Sequence, residues 1–345
     1  VTFDPRGLSP PRRANGFVLV GVIWFLACMS LVVAAAVIWI DRSREGIEAE
    51  QQLLLYTLDE RSMLSRLIWM TATHRQTVAG LTTPESIPPE PGNMDPSILA
   101  AGSEIPMDGR EYCLANGRCI ALIDGASRLS LIGSEPAVLN ALLRYLGVPA
   151  EDIPRMLAEL AQYLKSGQQS AEAGFMQRRM HSPMEVFLLP SWHPWEEQLT
   201  ERGWDELVTV RETALNLNTA SPEVLQAGWQ LPASGIARLV NLRLEHPILH
   251  AADLEAMLGS YAASVPPEGW ARLPSTTVLI RTRPAGGQAL HEYLLSFEST
   301  DLRLPPWQLL QRRTLPIHAS TVVVPHEPHS TPGLLSAPLV AGPWR

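Results

Sequence analysis

Hydrophobic positions change their spacing several times along this chain. Residues 17–40 read FVLVGVIWFLACMSLVVAAAVIWI, 24 residues without a charge. About 20 apolar residues suffice to span a bilayer as a helix. Asp41 and Arg42 end that run, but the helical pattern continues beyond them. Over 41–75, Ile47, Leu54, Leu55, Leu58, Leu64, Leu67 and Ile68 fall near helical spacing, and no proline interrupts residues 17–83. The economical expectation is one long helix, half membrane-embedded and half amphipathic. Its outer half needs a partner surface, and a β-sheet is the natural one.

Residues 80–110 are rich in proline and glycine and show no period, which predicts a surface loop. Short strands follow at 111–113 and 119–123, around an Asn-Gly turn. Residues 134–182 and 215–258 return to helical spacing, with LNALLRYLG and DIPRMLAELAQYLKSG as the clearest segments. Between them, Trp192, Trp195 and Trp204 stand among prolines and acids, and core packing is preferred over a sugar-stacking role. From Thr276 the pattern becomes strand-like: TTVLIRTR, HEYLLSFES, WQLLQRRTL and ASTVVVP, with Gly286-Gly287 as a turn between the first two. Residues 325–345 lack a core pattern and read as a disordered tail.

An internal repeat lies in the helical region. LSLIGSEPAVL at 129–139 aligns without gaps to LNLNTASPEVL at 215–225. Each copy is a short extended piece followed by a helix with proline in its first turn, where the missing N–H has no helical partner to lose. Ser221 is a good N-cap for the second helix, and Glu135 a weaker one for the first. Asn216, Asn218 and Thr219 stand in the tight lead-in, where structural capping is the preferred role of the two asparagines.

Composition adds bounds. A chain of 345 residues allows two or three domains, and 46% hydrophobic content is enough to build cores. Arginine supplies the basic charge except for Lys165, which reads as genomic bias. Setting aside the first forty residues, with Asp4, Arg6, Arg12 and Arg13, moves the net charge from −8 to −10. Such an acidic surface disfavours phosphate backbones and anionic lipid. Of three cysteines, Cys28 lies in the apolar run. Cys113 and Cys119 bracket Leu-Ala-Asn-Gly-Arg, where a loop Ala115-Asn116-Gly117 sets them opposite each other. Outside the cytoplasm a disulfide is expected there. Two cysteines without a second pair or nearby histidines make only half a zinc site.

Three readings of the N-terminus compete. A secretory signal has a shorter apolar core and a small-residue cut site beyond it, but Val37-Ile38-Trp39-Ile40 continue past Ala34-Ala35-Ala36. A plain anchor is the second. The third is a prepilin signal, cut before the apolar run, after glycine, leaving phenylalanine first; Gly16-Phe17 behind Arg12-Arg13 has that form. The positive-inside bias puts residues 1–16 in the cytoplasm and everything after Asp41 outside.

Residues 215–225 resemble the signature of the K-type minor pseudopilin of type II secretion, general secretion pathway protein K. Met184-Glu185-Val186-Phe187 is similar to that family's helix-start element, and Leu207-Val208-Thr209-Val210 to its strand before the signature. The resemblance runs from Gly16-Phe17 to about Leu315, outside the loop at 76–110 and the tail after 325. It implies a pilin-like α+β fold: a long N-terminal transmembrane helix packed on an antiparallel sheet, with a large helical domain inserted between strands, built of two related SAM-like or helix-hairpin-helix-like repeats. The corresponding divisions are a leader (1–16), a membrane span (17–40), a periplasmic helix (41–75), a loop and hairpin (76–128), the inserted domain (129–263), terminal strands (264–324) and the tail. The implied role is capping the pseudopilus tip, in the bacterial inner membrane, with I- and J-type minor pseudopilins as partners. H-type and major pseudopilins and the prepilin peptidase are further candidates. Gly21, the fifth residue after the implied cut, stands where major pilins carry glutamate, and K-type proteins are similar in lacking it. The hydrophobic outer half of the N-terminal helix, including Leu54, Leu58 and Leu64, is expected to contact those companion subunits. Some members bind calcium, but no matching acidic loop stands here and no cofactor is assigned.

A different function class competes. Residues 215–258 also resemble the helix-hairpin-helix module of competence DNA receptors. Such modules grip phosphate through glycine-rich hairpins. Here Gln230-Leu231-Pro232-Ala233-Ser234-Gly235-Ile236 lacks the first glycine, and Arg238 and Arg243 have no basic patch around them, so no nucleic acid is expected. Nor is enzymatic activity expected. There is no Gly-x-Ser-x-Gly, no phosphate loop and no His-Glu-x-x-His. His246 and His250 are separated by Pro247 and read as surface residues. Glu196, Glu197 and Glu201 read as a solvated helix face.

Overall fold

The computed structural model describes residues 15–84, 86, 98–114, 118–172, 180–264, 270–283, 289–298 and 305–316. The leader up to residue 14, the turns at 115–117 and 286–287, the strand expected at 319–325 and the tail lie outside them. The chain divides after Met63 into two compact units.

Helix α1 (Asn15–Thr73) is continuous over 59 residues. Among the described residues it is the one helix long and apolar enough to cross a membrane. The Ser30 hydroxyl donates to Leu26 O at 2.8 Å, so this polar side chain is satisfied within the helix. Large side chains from Val18 to Ile40 are 47–73% exposed within the chain. A helix that is apolar on every side requires lipid or protein around it. In the second unit, the last turns of α1 bury Leu67, Ile68 and Met70.

Strands β1 (Gln76–Thr77) and β2 (Gly80–Leu81) form a small hairpin. Gly80 is obligatory: its φ is +134°, and a Cβ there would meet Ile105 O at 2.3 Å. The surface loop expected over 80–110 is corrected at its two ends, while residues 87–97 lie outside the described residues. Leu81 exchanges backbone hydrogen bonds with Ile105, and Met107 O accepts from Asp124 N at 2.9 Å. Leu81, Ile105 and Met107 are at most 1% exposed. Isolated bridges of this kind leave no period in a sequence. Strands β3 (Tyr112–Cys113) and β4 (Cys119–Asp124) come next.

A helical lobe follows: β5 (Leu129–Ser130), α2 (Pro136–Tyr145), α3 (Ile153–Glu172), α4 (Glu196–Glu201), α5 (Trp204–Leu207), β6 (Val208–Thr209), β7 (Leu215–Asn216), α6 (Pro222–Trp229), α7 (Ala233–Glu245), α8 (Ala251–Leu258) and β8 (Trp270–Ala271). The two repeat copies have the same local build. In each, a two-residue strand pairs in parallel, β5 with β6 and β7 with β8, before a helix that begins at proline. Ser130 takes the place of Asn216: its Oγ accepts from Ile132 N and Gly133 N, as Asn216 Oδ1 accepts from Asn218 N. Gly133 replaces Thr219 because a Cβ there would lie 2.2 Å from Thr213 O. Helix α6 packs on the first copy through Gly228, whose added Cβ would meet Leu129 at 2.7 Å. Trp192 and Trp204 are core residues, 5.5 Å apart, with indole N–H groups donating to Met156 O and Pro183 O.

The chain then forms β9 (Thr277–Arg283), β10 (Ala289–Ser296) and β11 (Gln308–Pro316). These join β3 and β4 in one five-stranded antiparallel sheet, ordered β11-β10-β9-β4-β3. The lobe is therefore carried between two strands, β4 and β9, that are neighbours in the sheet.

Candidate functional site

Asn216 and Thr219 of the repeat signature belong to a buried polar hub. Asp124, at the end of β4, is fully buried. Its Oδ1 accepts from Ala126 N at 3.0 Å and Ser275 N at 2.8 Å. Its Oδ2 accepts from Asn216 Nδ2 and Thr219 Oγ1, both at 2.8 Å. Burial pushes the Asp124 pKa up, and the donors from Ser275, Ala126 and Thr219 oppose that push. With its lone pairs engaged on four donors, this carboxylate is a structural acceptor and has no geometry for proton abstraction. Asn216 thus serves both as a turn cap and as a tie between lobe and sheet. Asn218 binds Ile248 N and O and Arg272 O. Ser221 caps α6 by accepting from Val224 N at 3.3 Å, and Pro222 occupies the first helical turn.

Arg243 completes the hub. It is 6% exposed, and its Nη1 donates to Leu217 O and Ala220 O at 2.7 Å each. Burial lowers its pKa to about 10, with Asp108 opposing. Its charge is committed to the interior and is not displayed to a phosphate. Arg238 donates to Ala256 O. Gln230 stands where the hairpin lacks its first glycine and takes a left-handed φ of +53°.

A second hub centres on Glu292, 3% exposed in the middle of β10. In register, Arg281 on β9 and Arg313 on β11 flank it on either side. Their Nε atoms donate to its two oxygens at 2.8 and 2.6 Å. Arg128 lies 3.8 Å from it and donates to Asp205 O at 3.1 Å. Arg313 also pairs with Asp205, and Arg281 with Glu206 at 3.5 Å, both acids being on α5. Burial alone would raise the Glu292 pKa, but Arg128, Arg281 and Arg313 hold it at about 2. Nothing in the sequence patterning had marked this cluster.

Cys113 and Cys119 are joined by a disulfide across the β3–β4 pair. Glu111 lies beside them and pairs with Arg283. This is the one potential metal-ligating cluster among the described residues, and it does not fit calcium, which takes six to eight oxygens. Cys28 is free and exposed. Alkylation of the oxidised chain under denaturing conditions should therefore label Cys28 alone, with Cys113 and Cys119 labelled after reduction. Labelling of all three before reduction would contradict the bond.

The remaining sequence candidates are dispersed. Leu54 and Leu58 on α1 are 59% and 52% exposed, whereas Leu64 is half-buried. Gly21 has no heavy atom within 4 Å of an added Cβ. Gly16 and Phe17 lie in the first turn of α1. His246 and His250 are exposed and end α7 and begin α8. Glu196 and Glu197 are exposed at the start of α4, and Glu201 is exposed at its end.

No family model and no curated protein matches this chain. Among solved structures, a chain in the crystal structure of the GspK-GspI-GspJ complex from the enterotoxigenic Escherichia coli type 2 secretion system is similar. The alignment covers 79% of this chain and 99% of that one, at 15% identity and a TM-score of 0.40.

Proposed function

We propose that this chain is a K-type minor pseudopilin of a type II secretion system, capping the pseudopilus tip together with I- and J-type partners. The observation that carries the reading is α1 with Gly21 in it. Among the described residues no packing requires Gly21, since an added Cβ meets open space. In this reading, a subunit without the glutamate that major pilins carry at this position suits the top of a filament. The five-stranded antiparallel sheet and the helical bulk carried between β4 and β9 support the same reading. That bulk is too large to stack repeatedly along a thin filament.

The N-terminus of membrane-extracted protein tests it. Edman sequencing should begin at Phe17, with residues 1–16 removed, and Gly16→Ala should leave the leader attached. A first residue inside the apolar run, near Val37, would overturn the reading.

A further inference from the structure

The helical lobe leaves the sheet at Asp124 and returns at Thr277, the ends of two adjacent strands. A body joined through two neighbouring strand ends can pivot only at that neck. The Asp124 hub sits at the neck itself. The Glu292 hub does not: Asp124 faces Val278 in register, and Arg281 lies three residues further along β9, about 10 Å at the strand rise. We propose that the Glu292 cluster is a latch that clamps the lobe against the face of the sheet, so that the lobe reorients only when the latch opens.

The chemistry supports a positional role. Arg281, Glu292 and Arg313 form a row of charges directly across three strands. Such a row remains buried only if something complementary covers it. The cover comes from the lobe: Arg128 just before β5, and Asp205 and Glu206 on α5. Three guanidiniums meet three carboxylates, so the closed latch is neutral. An apolar contact of the same area would stabilise as well or better, because a buried ion cluster carries a desolvation penalty. What charge pairs add is position: the lobe cannot slide along the sheet without stranding a charge. The inference does not depend on the proposed function, although a latched lobe suits a subunit that must present its bulk in one orientation.

Hydrogen exchange of the full chain in detergent micelles tests it. Two variants are compared with the parent protein. Asp205→Asn with Glu206→Gln cuts only the lobe's side of the latch and leaves Arg281–Glu292–Arg313 intact within the sheet. Glu292→Gln removes the centre. For the double variant, amides of 204–209 and of the neck at 125–128 and 275–277 should exchange at least tenfold faster. Those of α2, α6 and the β4–β9 pair should be unchanged. Glu292→Gln should loosen the same segments and β11 as well. Unchanged exchange at 204–209 and the neck in the double variant would overturn the latch. Equal acceleration throughout lobe and sheet would overturn it too, since the cluster would then be general core and not a clamp.

Discussion

Asp124→Ala should lower the stability of the second unit by at least about 4 kcal/mol, the largest loss expected from any single polar truncation here. Four donors converge on this carboxylate: Ala126 N, Ser275 N, Asn216 Nδ2 and Thr219 Oγ1. Each buried donor left without an acceptor costs about 1–3 kcal/mol. Domains of this kind hold about 5–15 kcal/mol in all, so the loss is a large fraction of the whole. Truncating a single donor is milder. Thr219→Val should cost about 1–2 kcal/mol, because three donors keep their acceptor. Denaturant unfolding followed by the fluorescence of buried Trp192 and Trp204 reports both losses. If Asp124→Ala cost less than Thr219→Val, the carboxylate would not be the organising acceptor of the hub.

Glu292 should make the fold acid-sensitive in a defined window. Its folded pKa of about 2 lies below the ordinary 4.5. A carboxylate with a depressed folded pKa adds stability above its unfolded value and loses it as the pH falls through the folded one. The window therefore runs from about pH 4.5 down to about 2. The depression corresponds to about 3 kcal/mol, of which about 2 kcal/mol is gone by pH 3. Glu292→Gln carries no proton to gain, so its stability should fall less between pH 7 and pH 3 than that of the parent. The difference should be about 2 kcal/mol by denaturant unfolding at the two pH values. Equal losses would mean that the arginines do not hold this carboxylate ionised.

Elements whose signal is local were legible in the sequence. The 59-residue helix follows from an apolar run with no proline to stop it. Both helices of the repeat begin at their prolines, Pro136 and Pro222, because proline satisfies the first turn and nothing else. Strands β9, β10 and β11 follow the change of period after Thr276. What stayed hidden depends on register and on distant partners. Asp124 ends an apolar strand and reads as a turn residue, while its ligands stand 92, 95 and 151 positions away. Arg281, Glu292 and Arg313 look like ordinary surface charges until pairing puts them in one row. The packing of Ile105 and Met107 escaped because single bridges in a proline-rich stretch have no period. Asn216 was legible as a cap, but its second hydrogen bond, to Asp124, was not.

The account's central claim concerns assembly, and the exposed side of α1 tests it most directly. Leu54 and Leu58 present apolar surface that gives about 25 cal/mol per Å² when a partner covers it. The measurement is copurification of the processed chain with I- and J-type minor pseudopilins, beside thermal unfolding of each variant. The account predicts that the parent chain brings down both partners. It also predicts that Leu54→Asp with Leu58→Asp loses them while its melting temperature stays within a few degrees of the parent's. Failure of the parent chain to retain either partner would contradict the account, as would undiminished copurification by the double variant.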